Sequence, residues 1–119
     1  MQTHKQIFHG YELRGLLVTA YVQATTGSST TLKTGEAGYF LDLLEVSFAN
    51  NSTAVTTNVT LKDDGTTVRV VDIPIDSTVQ IVEPVPFPQG AKGGNWQVDL
   101  DDITGTTVDV TALFIRRES

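Results

Sequence analysis

Thr and Val recur along this chain in short alternating runs that end at Gly, Asp or Asn. Eighteen Thr and fourteen Val make up more than a quarter of the 119 residues. β-Branched side chains lose rotamer freedom in a helix and fit the pleated, half-buried surface of a sheet. The pattern therefore predicts an all-β chain that folds as an antiparallel β-sandwich.

The alternation locates individual strands. From Val55 to Lys62 a largely apolar set alternates with a polar set, which predicts a strand with one face in water. The first set is Val55, Thr57, Val59 and Leu61, and the second is Thr56, Asn58, Thr60 and Lys62. Asp63-Asp64-Gly65 follows and predicts a hairpin turn, because Asp and Gly tolerate positive φ. Between Gly38 and Asn50 the apolar residues change parity. That change predicts a bulge or bend near Leu43 and Leu44.

The remaining segments complete a rhythm of seven or eight strands, which favours a jelly-roll-like or immunoglobulin-like sandwich. Ala24 to Thr31 is rich in Thr, Ser and Gly and is predicted to be a loop. Pro84, Pro86 and Pro88 lack an N–H, so their segment is predicted to be an extended edge or a polyproline-like link. Further strands are predicted at Arg14–Gln23, Thr67–Ile73, Thr78–Val82, Trp96–Leu100 and Val108–Phe114.

The length fits one domain with a single core. Residues 1–13 are predicted to form an N-terminal arm without regular structure, and residues 14–119 the sandwich. The arm carries isolated hydrophobic residues at Ile7, Phe8, Tyr11 and Leu13. Such side chains are poorly placed in water, so we expect them to meet a partner.

The chain is acidic and has no cysteine, with a net charge of -6 from 14 Asp and Glu against 8 Lys and Arg. An acidic surface repels phosphate, so we expect neither nucleic acid nor an anionic membrane as a partner. Met1 to Gly10 lacks the apolar run of a signal peptide, and no stretch approaches the roughly 20 apolar residues of a membrane span. We therefore expect synthesis in a cytoplasm.

Residue types that carry chemistry are few. His4 and His9 are five residues apart, a spacing that places them side by side on neither a helix nor a strand. Asp63-Asp64 and the set Asp99, Asp101 and Asp102 could supply oxygen ligands for calcium, but Asp63-Asp64-Gly65 lacks the alternating spacing and distal Glu of a calcium loop, and Asp in a turn caps backbone N–H groups. No Gly-x-Ser-x-Gly sequence is present to display a nucleophile. We therefore expect no catalytic activity, no metal and no cofactor.

Three aromatic residues, Tyr21, Tyr39 and Trp96, are candidates for a platform that stacks on sugar rings. Trp96 shares its parity with Val98 and Leu100, which favours a place in the core or in an interface. The apolar residues of the Tyr39–Phe48 and Val110–Ile115 segments occupy both parities. Because a lone sandwich buries only one face of each sheet, this pattern predicts a homo-oligomer.

Three stretches carry a family resemblance: Thr34 to Leu44, Pro86 to Trp96, and Val108 to Phe114. Together they resemble small β-sandwich proteins encoded among the structural genes of tailed bacteriophages, some of which decorate or cement the capsid. The resemblance implies a jelly roll, a homotrimer at capsid three-fold positions, and an arm or loop set that reaches across the shell. It carries over no catalytic residue.

The resemblance and the residues together predict a non-enzymatic virion structural protein. Its expected role is capsid decoration or cement, with the major capsid protein or another virion protein as partner. After synthesis in the host cytoplasm it would lie on the capsid surface. The alternative is a carbohydrate-binding or host-adhesion module on a head or tail fibre. The expected partner-interface residues are Ile7, Phe8, Tyr11, Leu13, Tyr39 and Trp96.

Overall fold

The computed structural model describes residues 7–8, 11–12, 16–25, 29–53, 55–101 and 106–118. These residues form strands and connecting loops, and none of them is helical. The strands are β1 (Ile7–Phe8), β2 (Tyr11–Glu12), β3 (Leu17–Ala24), β4 (Thr30–Lys33), β5 (Phe40–Asn50), β6 (Thr57–Asp63), β7 (Thr66–Ile73), β8 (Thr78–Phe87), β9 (Trp96–Leu100) and β10 (Val108–Arg117).

Eight of the strands form a jelly roll. They pair antiparallel in a nested series, β6 with β7, β5 with β8, β4 with β9, and β3 with β10. This series is one long hairpin, and it rolls up because β10 also pairs with β5 and β9 with β6. The resulting sheets have the orders β3-β10-β5-β8 and β4-β9-β6-β7. The predicted antiparallel, jelly-roll-like sandwich is confirmed.

The tip of the long hairpin is the predicted turn. Asp64 and Gly65 connect β6 to β7 with φ angles of 48° and 90°. Two consecutive positive φ angles match the right-handed twist of the flanking strands, which is why Asp-Gly is favoured at this place.

The predicted irregularity in β5 is present at Leu44. Leu43 lies opposite Phe114 of β10 and Glu45 opposite Leu113, so Leu44 has no partner on β10. The extra residue reverses the parity, and as a result Leu41 and Leu43 point into the same core as Val46 and Phe48. The two parities of β5 therefore do not make two apolar faces. The prediction of apolar residues on both faces of β5 is wrong, and β5 gives no support for an oligomer.

The core lies between the two sheets and is centred on Trp96. Its ring packs against Phe114 with the ring centroids 5.4 Å apart, and its Nε1 donates to Leu41 O at 2.9 Å. On β3, Val18 faces this core and Tyr21 faces solvent, as the alternation predicts. Trp96 thus joins β9 of one sheet to β5 and β10 of the other.

Two elements differ from the sequence prediction, and a third agrees with it. β4 begins at Thr30, where a continuous loop to Thr31 was predicted, because its pairing with β9 imposes the extended conformation. The proline segment is an extended edge, one of its two predicted forms, because β8 continues through it at the edge of its sheet. Glu83 to Pro86 face only Leu44 between the paired positions, so Pro84 and Pro86 interrupt no regular ladder. The arm is not wholly irregular, since Ile7–Phe8 and Tyr11–Glu12 pair as a short antiparallel ribbon.

Candidate interaction surface

One end of the sandwich contains parts of two of the three stretches that carry the family resemblance. Here β3 and β5 begin, β10 ends, and three connections meet: residues 34–39, 64–65 and 88–95. Arg116 N donates to Leu16 O at 2.9 Å, which fixes the point where the chain enters β3. Because the arm precedes Leu16, we call these connections, Leu16 and residues 116–118 the arm-bearing end.

Gln89 organises the arm-bearing end from inside. Its side chain is buried, accepts a hydrogen bond from Leu41 N at 2.7 Å, and donates to Asp63 Oδ1 at 3.1 Å and to Gly94 O at 3.0 Å. Its backbone N–H donates to Asp42 Oδ1 at 2.9 Å. A buried amide whose donors and acceptor are used in this way fixes the geometry of the residues around it.

Asn95, in the connection of residues 88–95, is hydrogen-bonded to the other two connections. Its Oδ1 accepts a hydrogen bond from Gly35 N at 2.8 Å, and its backbone carbonyl accepts one from Asp64 N at 2.7 Å. Gly93 N donates to Tyr39 O at 2.8 Å. The connections at this end therefore form one cross-linked layer, and such preorganisation lowers the entropy lost when a surface binds a partner.

Two arginines at the arm-bearing end are already paired within the chain. Arg116 Nε lies 2.6 Å from Glu36 Oε1, and Arg117 Nε lies 2.6 Å from Asp42 Oδ2. The Arg117 guanidinium also stacks over Phe40, 4.2 Å from the ring centroid. Burial of this end against a partner would therefore leave these charges compensated.

The Arg116–Glu36 pair gives stability a pH dependence. The hydrogen bond from Arg116 holds the pKa of Glu36 below its usual value. A carboxyl whose pKa is lower in the folded state stabilises the fold above its unfolded pKa, and the contribution is lost as the pH falls through the folded value. We expect Glu36→Gln to lower the free energy of unfolding by about 1 kcal/mol at neutral pH.

That difference between Glu36→Gln and the unchanged chain should shrink as the pH falls through the lowered pKa of folded Glu36, and vanish once Glu36 is protonated in both the folded and the unfolded state. Urea unfolding followed by circular dichroism at a series of pH values measures it. A difference that stays constant across the acidic range would show that the ion pair contributes nothing through the charge of Glu36.

The opposite end of the sandwich is acidic. Asp72, Asp76 and Asp101 are exposed there, and Asp109 lies beside them at the start of β10. Asp109 accepts hydrogen bonds from Tyr21 Oη at 2.7 Å and from Asn51 Nδ2 at 2.9 Å. The hydrogen bonds from Asn51 and Tyr21 lower the pKa of Asp109. We call Asp72, Asp76, Asp101 and Asp109 the acidic end.

The structure places the predicted partner-interface residues in different surroundings. Tyr39 is half-buried in the arm-bearing end, where the prediction can still apply. Trp96 is fully buried in the core of the single chain and so offers no surface to a partner. Ile7, Phe8 and Tyr11 lie in the β1–β2 ribbon, and Leu13 lies outside the described residues.

The three aromatic candidates for a sugar platform are not brought together. Tyr21 is 62% exposed on the outer face of β3 near the acidic end, Tyr39 belongs to the arm-bearing end, and Trp96 lies between the sheets. Stacking on a sugar needs an accessible aromatic face. Only Tyr21 among the three has such a face.

Among the described residues no group of three His, Asp or Glu side chains is arranged to hold a metal ion. The Asp99 carboxylate, in a polar depression beside Asn58 and Thr60, already has a cation partner, since Lys62 Nζ lies 2.6 Å from its Oδ2. No helix in the described part of the chain is long and apolar enough to cross a membrane.

Sequence reasoning did not single out Gln89, Asn95, Arg116 or Arg117. Gln89 and Asn95 lie in a segment whose Gly and Pro content indicates a loop, and nothing local shows that a loop amide will be buried. In the sequence, Arg116 and Arg117 follow the predicted strand Val108–Phe114, where charged residues are usually solvated. Their acidic partners are 80 and 75 residues away in the chain, so only the folded structure pairs them.

Comparison with solved structures gives a fold match that extends over most of the chain. The structure is similar to a chain of the cyanophage Pam1 capsid asymmetric unit, with a TM-score of 0.56 and 12% sequence identity. The match covers 94% of this chain and 93% of that chain, so the two are of nearly equal length. No family model and no curated protein matches the sequence. At this identity the match establishes a shared fold.

Proposed function

We propose that this protein is a structural component of a bacteriophage virion, and that it decorates or cements the capsid. The observation that carries the proposal is the fold match to a capsid chain over 94% of this chain. Nearly equal lengths mean that the match concerns the whole jelly roll rather than a domain of a larger subunit. The role is structural, and the partner is the major capsid protein or another virion protein.

The N-terminal arm supports the proposal that the chain acts by attaching to the surface of a partner. The β1–β2 ribbon has two residues in each strand. A two-stranded ribbon is at best marginally stable alone in water, so it gains order from a surface on which it packs. Ile7 and Phe8 supply apolar side chains for that contact, each worth roughly 1.5 to 3 kcal/mol before the entropy of ordering the arm is subtracted.

Deletion of residues 1–10 tests this proposal. We expect the truncated chain to keep the circular dichroism spectrum and unfolding midpoint of the full chain, because the sandwich begins at Leu17. Its affinity for virions stripped of this protein should fall by about tenfold or more, since each 1.4 kcal/mol of lost contact is tenfold. Cosedimentation with stripped particles measures the affinity.

Mass spectrometry of purified virions gives an independent check of the proposed function, because a decoration protein is present in a fixed copy number per particle.

The matched control for the deletion is Ile7→Ala with Phe8→Ala in the full-length chain, which removes the apolar side chains and keeps the arm. Undiminished binding by a folded truncation would exclude the arm as the anchor. Absence of the protein from virions would contradict the proposed function itself.

We also propose that the chain assembles as a homotrimer. The bulge at Leu44 places the apolar residues of β5 in one core, but β3 and β8 expose apolar residues on the outer face of their sheet. Leu17 is 40% exposed and Val82 is 62% exposed. Sedimentation equilibrium should give three times the 12.9 kDa chain mass. A strictly monomeric species at high micromolar concentration would count against the trimer.

The adhesion alternative finds less support. It expects an exposed aromatic platform, whereas Tyr21, Tyr39 and Trp96 are dispersed over one outer face, one end and the core. Binding of the isolated protein to glycans on an array would support the adhesion module instead. The fold match and the arm favour attachment to a capsid.

A further inference from the structure

Charge is divided unequally between the two ends of the jelly roll. The arm and the arm-bearing end, with the ends of β4, β5 and β6 that belong to it, contain six acidic and six basic residues, so they are balanced. The basic members are Lys5, Arg14, Lys33, Lys92, Arg116 and Arg117. The rest of the chain contains eight acidic residues and two basic ones, Lys62 and Arg69, and therefore carries the whole net charge of -6.

The two basic residues of the remainder do not neutralise the acidic end. Lys62 Nζ is 2.6 Å from Asp99 and Arg69 Nη2 is 2.9 Å from Glu83. Neither pair includes a carboxylate of the acidic end, and the described residues of the connections at that end, 51–53, 55–56, 74–77, 101 and 106–107, include no Lys or Arg. The ten residues of β10 separate the acidic end from the arm-bearing end, a distance of about 30 Å.

This division makes docking by one end far less costly than docking by the other. Removal of a carboxylate from water is expensive unless a cation replaces the water. A partner that covered the acidic end would have to supply several cations. A partner that covered the arm-bearing end would meet Arg116 and Arg117 already paired with Glu36 and Asp42, in a cross-linked layer that loses little entropy on binding.

From these observations we infer that the chain docks end-on, with its arm-bearing end on the particle and its acidic end toward solvent. The inference rests on the proposed function and adds the orientation of the subunit and the chemistry of the surface it meets. That surface is near neutral, offers hydrogen-bonding groups to the loop layer, and has apolar recesses for the arm. Outward carboxylates also keep neighbouring particles apart by mutual repulsion.

Accessibility of single cysteines tests the orientation, and the chain is suited to the test because it contains no cysteine. Ala37→Cys places a thiol on the exposed loop of the arm-bearing end, and Asp72→Cys places one on the exposed acidic end. In the free protein both should react with a maleimide at similar rates. On the particle, Ala37→Cys should react at least about tenfold more slowly, because interface cores exclude solvent, whereas Asp72→Cys should keep its free rate.

Salt dependence gives a second measure. Affinity for stripped virions should change less than about threefold between low and physiological salt, because a charge-balanced face gains little from long-range attraction. Protection of Asp72→Cys with Ala37→Cys still reactive, or a steep loss of affinity with salt, would overturn the orientation and leave the proposed function standing. Failure of both variants and of the unchanged chain to bind any virion would overturn both.

Discussion

Replacement of Trp96 by Ala is expected to lower the free energy of unfolding by about 3 to 5 kcal/mol. The indole is completely buried, packs against Phe114, and donates its only N–H to Leu41 O. The truncation would leave a cavity between the sheets and an unsatisfied carbonyl. Since domains of this size have about 5 to 15 kcal/mol of stability in total, the loss would be a large share of it.

Trp96→Phe is the matched variant for this experiment. It keeps most of the apolar volume and removes the N–H donor, so we expect a loss of about 1 to 2 kcal/mol. Urea unfolding followed by circular dichroism measures both variants. If Trp96→Ala left stability within about 1 kcal/mol and weakened particle binding instead, Trp96 would be an interface residue, as its parity with Val98 and Leu100 also allows.

A second large effect is expected at Gly35, where two connections of the arm-bearing end touch. A Cβ at Gly35 would lie 2.0 Å from Gly93 O and 2.5 Å from Gly94 O, which is far inside van der Waals contact. Gly35→Ala would force these connections apart and break the hydrogen bond from Gly35 N to Asn95. We expect Gly35→Ala to lower the free energy of unfolding by about 2 to 3 kcal/mol, which is the upper part of the range for overpacked substitutions.

Gly38→Ala is the control because Gly38 lies in the same connection without the steric contact. Its φ is 86° and a Cβ there would meet nothing within 4 Å. We expect Gly38→Ala to lower the free energy of unfolding by about 1 kcal/mol, because it introduces only backbone strain. Unfolding midpoints in urea compare the two variants. Equal losses would show that the connections separate easily and that the cross-linked layer is not rigid.

The parts of this fold that follow from nearest neighbours in the chain were predictable. Alternation from Val55 to Lys62 identified β6, and Asp64-Gly65 identified the hairpin turn, because both depend on local conformation. The parity change near Leu44 predicted the bulge. It did not show that both parities would enter one core, since that depends on how β10 pairs with β5.

The parts that depend on distant partners were not predictable. β4 contains the single large apolar residue Leu32 among Thr and Lys, and it is a strand because β9 pairs with it from more than sixty residues further along the chain. The sequence around Gln89 predicts only a loop. In the structure its side chain is buried, because Leu41, Asp63 and Gly94 supply its hydrogen bonds. Local composition contains no information about such contacts.

By itself the sequence determined that the chain is all-β, acidic, free of cysteine and preceded by a hydrophobic-bearing arm, because composition and period-two alternation act residue by residue. The tertiary structure alone decided the jelly-roll order of the strands, the burial of Trp96 and the separation of charge between the two ends. These features arise when residues far apart in the chain meet. The pairing of β10 with both β3 and β5 brings Arg116 to Glu36 and Arg117 to Asp42, and so leaves the acidic end without a cation.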